Sequence, residues 1–101
     1  MSSTLIVQLD METFCEEANI PATYVIEIVE HGIIEPQGHA PHVWRFDDYE
    51  IIVAKRAVKL RDDLHIEWEG VALALELIDE VKQLRAENQR LKQQLARLVM
   101  D

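Results

Sequence analysis

The sequence predicts a mainly α-helical protein: a winged helix-turn-helix head over residues 1–66, then one long coiled-coil-like helix over residues 67–101. Three observations predict it. Two short amphipathic stretches, METFCEEA and YVIEIVEHG, flank a tight ANIP turn. A segment rich in turn formers, IIEPQGHAPHVWRF, separates them from a third helical pattern. Leu77, Leu84, Leu91 and Leu98 then recur every seven residues, with no strong breaker from residue 70 to 99.

Each element has its own local signal. TLIVQLD alternates weakly and reads as a short strand or extended arm ending at Asp10, an N-cap. METFCEEA makes a first helix of about two turns, with Phe14 and Ala18 on one face. Pro21 suits the first turn of a second helix, expected over residues 22–31 with Tyr24, Val25 and Ile28 facing inward. Gly32 stands where a left-handed residue closes a helix. Helix, short turn, helix is the helix-turn-helix pattern. IIEPQGHAPHVWRF reads as a hairpin, the wing, with strands at 33–34 and 43–46. Asp47 opens a third helix, and Glu50 completes the spacing of a capping box. Val53, Ala57, Leu60 and Leu64 supply its apolar stripe, and HIEWEG interrupts it.

In the last segment the heptad leucines take d positions, and Ala74, Val81, Asn88 and Leu95 fall at a. The g positions carry Glu80 and Glu87; the e positions carry Arg85 and Lys92. A helix of this length spans about 45 Å, too long to bury on a small head. It wants a partner helix, and the reading is a homodimer built on Leu77, Val81, Leu84, Asn88, Leu91, Leu95 and Leu98. The alternative, a stripe folded back on its own head, suits residues 70–82 better than 84–98. Direction stays open: Asn88 at an a position favours parallel strands.

Charge and composition exclude several functions. The 101 residues are 49% hydrophobic and 29% charged, as in an ordinary soluble domain. No apolar run reaches the ~20 residues of a membrane span, and a lone Cys15 fits a reducing compartment, so the expectation is cytoplasmic. The net charge of −9 lies wholly in residues 1–50, where ten acids face a single base, Arg45. Nine acids and nine bases cancel in the second half. A nucleic-acid face needs clustered cations, and this half repels phosphate.

The sites that invite chemistry are weak. His39 and His42, with His31 nearby, lack the cysteine pair of a zinc site, so no metal or other cofactor is expected. Glu12, Glu16 and Glu17 surround Cys15 and hold its thiol up rather than activate it. No phosphate loop, serine elbow or metalloprotease motif is present, and adjacent acids such as Glu16 and Glu17 diverge on a helix, so no enzyme and no small-molecule substrate is expected. The one basic cluster, KRAVKLR at 55–61, is balanced in part by Asp62 and Asp63. The acidic face is the stronger signal. Glu27, Glu30, Glu35, Asp47, Asp48 and Glu50, with Trp44 as an anchor, are the candidate residues for binding a basic protein partner. A merely solubilising surface is the alternative.

The order of elements resembles the MerR family of transcription regulators, and ANIPATYVIEIVEHGIIEP resembles their second helix and its exit. Where that family places an arginine followed by aromatics for DNA contact, this chain has Ile26, Glu27 and Ile28. Nearly the whole chain, through METFCEEANI, EHGIIEP, VWRFDDYEIIVAKRAVKLRDDL and the heptad tail, resembles the CbpM family of chaperone modulators. That resemblance implies a bacterial protein that binds the J-domain of a DnaJ-like co-chaperone, CbpA, and inhibits its co-chaperone and DNA-binding activities. It also implies competition with DnaK for a basic J-domain helix. The MerR resemblance implies an antiparallel pair of tails. The rival reading is a MerR-like DNA-binding regulator using Lys55, Arg56, Lys59 and Arg61, and a third is a dimeric adaptor for some other partner.

Overall fold

The computed structural model describes residues 8–100, in the order β1 (Gln8–Leu9), α1 (Met11–Ala18), α2 (Ala22–Glu30), a 3-10 turn (Pro41–Val43), β2 (Phe46–Asp47), α3 (Tyr49–Leu64) and α4 (Trp68–Met100). The first part of the expected arm, residues 4–7, lies outside the described residues, as do the other terminal residues of the two expected segments.

Helix ends fall where side-chain chemistry puts them. Asp10 has extended backbone and accepts a 2.9 Å bond from the Thr13 amide, starting α1. Asn19 closes α1 in the left-handed region (φ 59°), and the Ile20 amide donates back to the Cys15 carbonyl at 3.2 Å. Asn is one of the few non-glycine residues that tolerates this conformation. Gly32 (φ 73°) ends α2 the same way: the Ile33 amide reaches the Ile28 carbonyl and the Gly32 amide the Val29 carbonyl, both at 3.0 Å. At α3 the capping box is complete. The Glu50 amide donates to Asp47 Oδ1 at 3.0 Å, and the Asp47 amide donates to Glu50 Oε1 at 3.1 Å. Asp48 already has helical angles, so Asp47 is the cap although the helix is counted from Tyr49.

The wing differs from its expectation. Residues 33–34 form no strand with 43–46. Instead Gln37 and Arg45 make one isolated bridge, Val43 belongs to the 3-10 turn, and β2 pairs antiparallel with β1, Leu9 opposite Phe46. The tight approach at the wing tip forces this shape. A Cβ on Gly38 (φ 113°) would lie 2.6 Å from the Val43 carbonyl oxygen.

The core gathers Phe14, Ala18, Ile20, Val25, Ile28, Ile34, Trp44, Phe46, Ala54, Ala57, Trp68 and Val71. Phe14 and Phe46 stack with centroids 4.2 Å apart, and Trp44 meets Phe46 edge-on at 6.1 Å. On α3 the fully buried residues are Ala54 and Ala57, while Leu64, expected in the stripe, is 53% exposed. Small side chains sit where α3 crosses its neighbours closely; Leu64 comes one residue before the left-handed His65 (φ 54°) that ends the helix. Ile66 then fills the space beside Gly70, and α4 starts at Trp68, inside HIEWEG. The first turn of α4 thus belongs to the head's core, immediately past the expected 66/67 division.

Truncating Phe46 removes one partner of the stack and part of Trp44's support. Phe46→Ala is expected to lower unfolding free energy by about 3–5 kcal/mol. Ile52→Ala, on the exposed side of α3, is expected to change it by less than about 0.5 kcal/mol. Urea denaturation followed by circular dichroism measures both.

Candidate functional site

Three separate parts of the chain meet at a groove beside the capping box. One part of it, about 480 Å3, is lined by Gly32, Ile33, Ile34, Glu35, Asp47, Tyr49, Glu50 and Val53. A second, about 360 Å3, shares Gly32, Ile33, Tyr49 and Val53 and continues to His31, Arg56, Ala72, Leu75, Glu76 and Asp79. The walls therefore come from the exit of α2, the start of α3 and the head-proximal part of α4. Ile33, Val53 and Leu75 give it an apolar floor. Tyr49 stands at its edge, 66% exposed. Five carboxylates line it against one arginine and one histidine, a pattern that suits a cationic, partly apolar protein segment.

Glu50 records the local field. Partial burial raises its pKa above the ordinary carboxylate value; backbone hydrogen bonds from Asp47 and Glu35 oppose this, and the nearby charges of the same two residues reinforce it. A cation arriving in the groove would relieve that strain. Among the described residues no cluster of His, Cys, Asp and Glu is arranged to hold a metal ion.

The candidate partner residues divide into groups. Glu35, Asp47 and Glu50 converge on the groove. Glu27 and Glu30 share the outer side of α2, where His31 Nδ1 donates to the Glu27 carbonyl at 2.8 Å and lies 3.7 Å from its carboxylate. Asp48 is exposed at the start of α3. Trp44 is a correction: expected as a surface anchor, it is only 9% exposed and packs against Phe46, so it supports the wing from within. Tyr49, Ile33, Leu75, Glu76 and Asp79 were not foreseen. Tyr49 was detectable as a large aromatic in the polar first turn of a helix; the α4 residues were hidden because only folding brings them to α3.

The basic stretch 55–61 does not make a common cationic face. Arg61 lies over the rings of Tyr24 and Trp68, 5.2 and 5.0 Å from their centroids, and donates to the Tyr24 hydroxyl at 3.4 Å. Among the described residues its Nε is buried with no hydrogen-bond partner. Lys59 is tied to Asp63 at 3.0 Å, and Arg56 is half-buried in the groove wall. Cys15 is half-buried with its thiol 3.7 Å from the Met11 sulfur, and it is burial, rather than the neighbouring glutamates, that pushes its pKa up. Among the described residues no helix is long and apolar enough to cross a membrane.

Residues 9–93 match the family model described as MerR HTH family regulatory protein. The chain is 65% identical over 97 residues to the chaperone modulatory protein CbpM of Pseudomonas putida strain W619, covering 96% of each chain. The CbpM of Pseudomonas entomophila strain L48 is equally similar, 65% over 97 residues and 96% of each chain. The CbpM of Escherichia coli strain HS is 40% identical over 93 residues, 92% of each.

The capping pair gives a pH-dependent test. Because the folded pKa of Glu50 is raised, the native state holds that proton more tightly than the unfolded chain. Its charge therefore lowers stability at neutral pH, and the penalty disappears as pH falls through the raised value toward the model value of 4.5. Glu50→Gln, which keeps an acceptor for the Asp47 amide, is expected to equal or exceed the parent at pH 7, with the difference closing in acid. Asp47→Ala loses the cap and is expected to cost about 1 kcal/mol. Thermal melts across pH 4–8 distinguish the two.

Proposed function

The chain belongs to the MerR helix-turn-helix regulatory family and, within it, to the chaperone modulatory proteins called CbpM, and from that premise we propose that it binds the J-domain of a DnaJ-like co-chaperone, CbpA, and inhibits both its co-chaperone and its DNA-binding activity. The observation that carries this reading is the convergence of Glu35, Asp47 and Glu50 on a groove with an apolar floor. A basic, amphipathic J-domain helix is complementary to such a groove in charge and in shape. Masking that helix would keep it from the acidic surface of DnaK. Glu27, Glu30 and Asp48 extend the negative field around the site and would steer the encounter rather than anchor it.

The DNA-regulator alternative is poorly served by this surface. Three of its four cations are engaged, Arg61 by two aromatic rings, Lys59 by Asp63 and Arg56 by the groove wall, which leaves Lys55 alone as an exposed base. In the proposed reading the protein acts in the bacterial cytoplasm as a homodimer joined through residues 67–101, with Trp44 stiffening the wing beside the groove.

Calorimetric titration with an isolated J-domain tests the site. Glu35→Lys combined with Asp48→Lys spares the capping box and is expected to weaken binding about tenfold or more, near 1.4 kcal/mol. It should also flatten the dependence of affinity on salt, because fewer attractive charges remain to be screened. Glu27→Lys with Glu30→Lys is expected to slow association with a smaller change in dissociation. A gel shift with duplex DNA at low salt is expected to show no complex. J-domain affinity unaltered in both pairs of variants would place the interface elsewhere.

A further inference from the structure

The groove beside the capping box is purely acidic at one end only. Its capping-box end carries Glu35, Asp47 and Glu50 and no base. Its α4 end sets Glu76 and Asp79 against Arg56 and His31, around a cavity of about 360 Å3. The apolar residues common to both ends are Ile33 and Val53, with Tyr49 beside them.

Arg56 stands out in this setting. Residues 49, 53 and 56 follow the spacing of one helical face, so α3 brings the half-buried Arg56 to the groove in line with Tyr49 and Val53. Two carboxylates line the same cavity, yet Arg56 pairs with neither. Among the described residues the ion pairs are His31 with Glu27, Lys59 with Asp63 and Arg90 with Glu87, and none of them involves Arg56. An arginine that merely tied α3 to α4 would close on Glu76 or Asp79, as Arg90 closes on Glu87. Here the cavity stands between them. Arg61, on the same helix, shows the contrast, its guanidinium lying over the rings of Tyr24 and Trp68.

The chemistry of the donor sets what the cavity takes. A guanidinium offers N–H donors in a planar fork and no acceptor, so its complement is a carboxylate held by two parallel bonds. A cation placed there would meet Arg56 in a partly dehydrated setting, where like charges repel strongly. A free inorganic anion is disfavoured by Glu76 and Asp79, whereas a carboxylate on a protein segment arrives with basic neighbours that those two acids attract. Position along α3 then fixes the spacing. Glu50 and Arg56 lie about 9 Å apart along the helix axis, a distance that a partner helix in the groove covers in close to two turns.

We propose that Arg56 is a specificity-determining residue of the groove: it receives a carboxylate of the partner helix, about two turns away from the basic residues that Glu35, Asp47 and Glu50 receive. This rests on the J-domain reading above and adds the sign pattern that the bound J-domain helix must carry. A groove acidic throughout would accept any basic amphipathic helix. One arginine set within it turns away helices that are basic along their whole length, so discrimination comes from a repulsive element as well as from attraction.

Calorimetric titration of the full chain with an isolated J-domain tests this, with thermal melts confirming that each variant folds. Arg56→Gln is expected to weaken binding about tenfold, the scale of one lost charge-assisted hydrogen bond, and Arg56→Glu to weaken it further. A merely structural arginine would give similar losses, so the deciding readout is a charge exchange. Each acidic residue of the J-domain is changed to lysine in turn. One such variant is expected to bind the parent chain poorly and to regain about tenfold in affinity with Arg56→Glu. Unchanged or tighter binding by Arg56→Gln, or no acidic position whose reversal Arg56→Glu rescues, overturns the role of Arg56 and leaves the J-domain reading standing. A parent chain that does not bind the J-domain overturns both.

Discussion

The contact between Phe14 and Phe46 is the interaction on which the head depends. β1 and β2 are two residues each, and a ladder that short has few bonds, each contributing about 1 kcal/mol net. Burying one phenylalanine contributes about 1.5–3 kcal/mol, before any gain from ring geometry. The stack therefore holds the strands in place, rather than the strands holding the stack. Once Phe46 is fixed, the next residue must leave the core, and Asp47 does so as both the end of β2 and the cap of α3. The position of Tyr49 and Glu50 at the groove follows from that step.

Acidity at the groove has two origins that differ physically. Asp47 and Glu50 satisfy each other's amides, so their presence is accounted for by helix initiation. Glu35 starts no helix; its backbone hydrogen bond steadies the Glu50 carboxylate while its own charge adds a smaller repulsion. A surface designed only for solubility would intersperse bases with these acids, since both signs keep a protein dissolved. Here two bases of α3 are directed away, Arg61 into an aromatic clamp between α2 and α4 and Lys59 along its own helix, and Arg56 is the single arginine among the residues lining the groove. The segregation of charge is a property of the folded surface, not merely of the composition.

Much of this was legible in the sequence because helix ends are local events. Asp10, Gly32 and the Asp47–Glu50 pair each sit where short-range hydrogen bonding requires them, and the observed α1 matches METFCEEA residue for residue. The wing was not legible, because the partner of Phe46 is Leu9, far upstream, and turn formers between two apolar pairs suggest a hairpin whether or not those pairs meet. Trp44 was misplaced by its charged neighbours, yet Trp44, Arg45 and Phe46 alternate inward, outward, inward, a two-residue period that signals burial. On α3 the larger residues drew the eye from Ala54 and Ala57, which are buried because the helix approaches its neighbours closely there. The groove needed three distant segments at once, and no local pattern encodes that.

Helix α4 is uninterrupted from Trp68 in the core, through Leu75 and Glu76 in the groove wall, to Met100. A rod of that kind acts as a lever. Anything that clamps its far end restrains the angle at which its near end leans on α3, so the width of the cleft is set partly from a distance of several helical turns. Were a partner to hold the far half, losing it would leave every cleft residue in place and still slacken the wall they stand on.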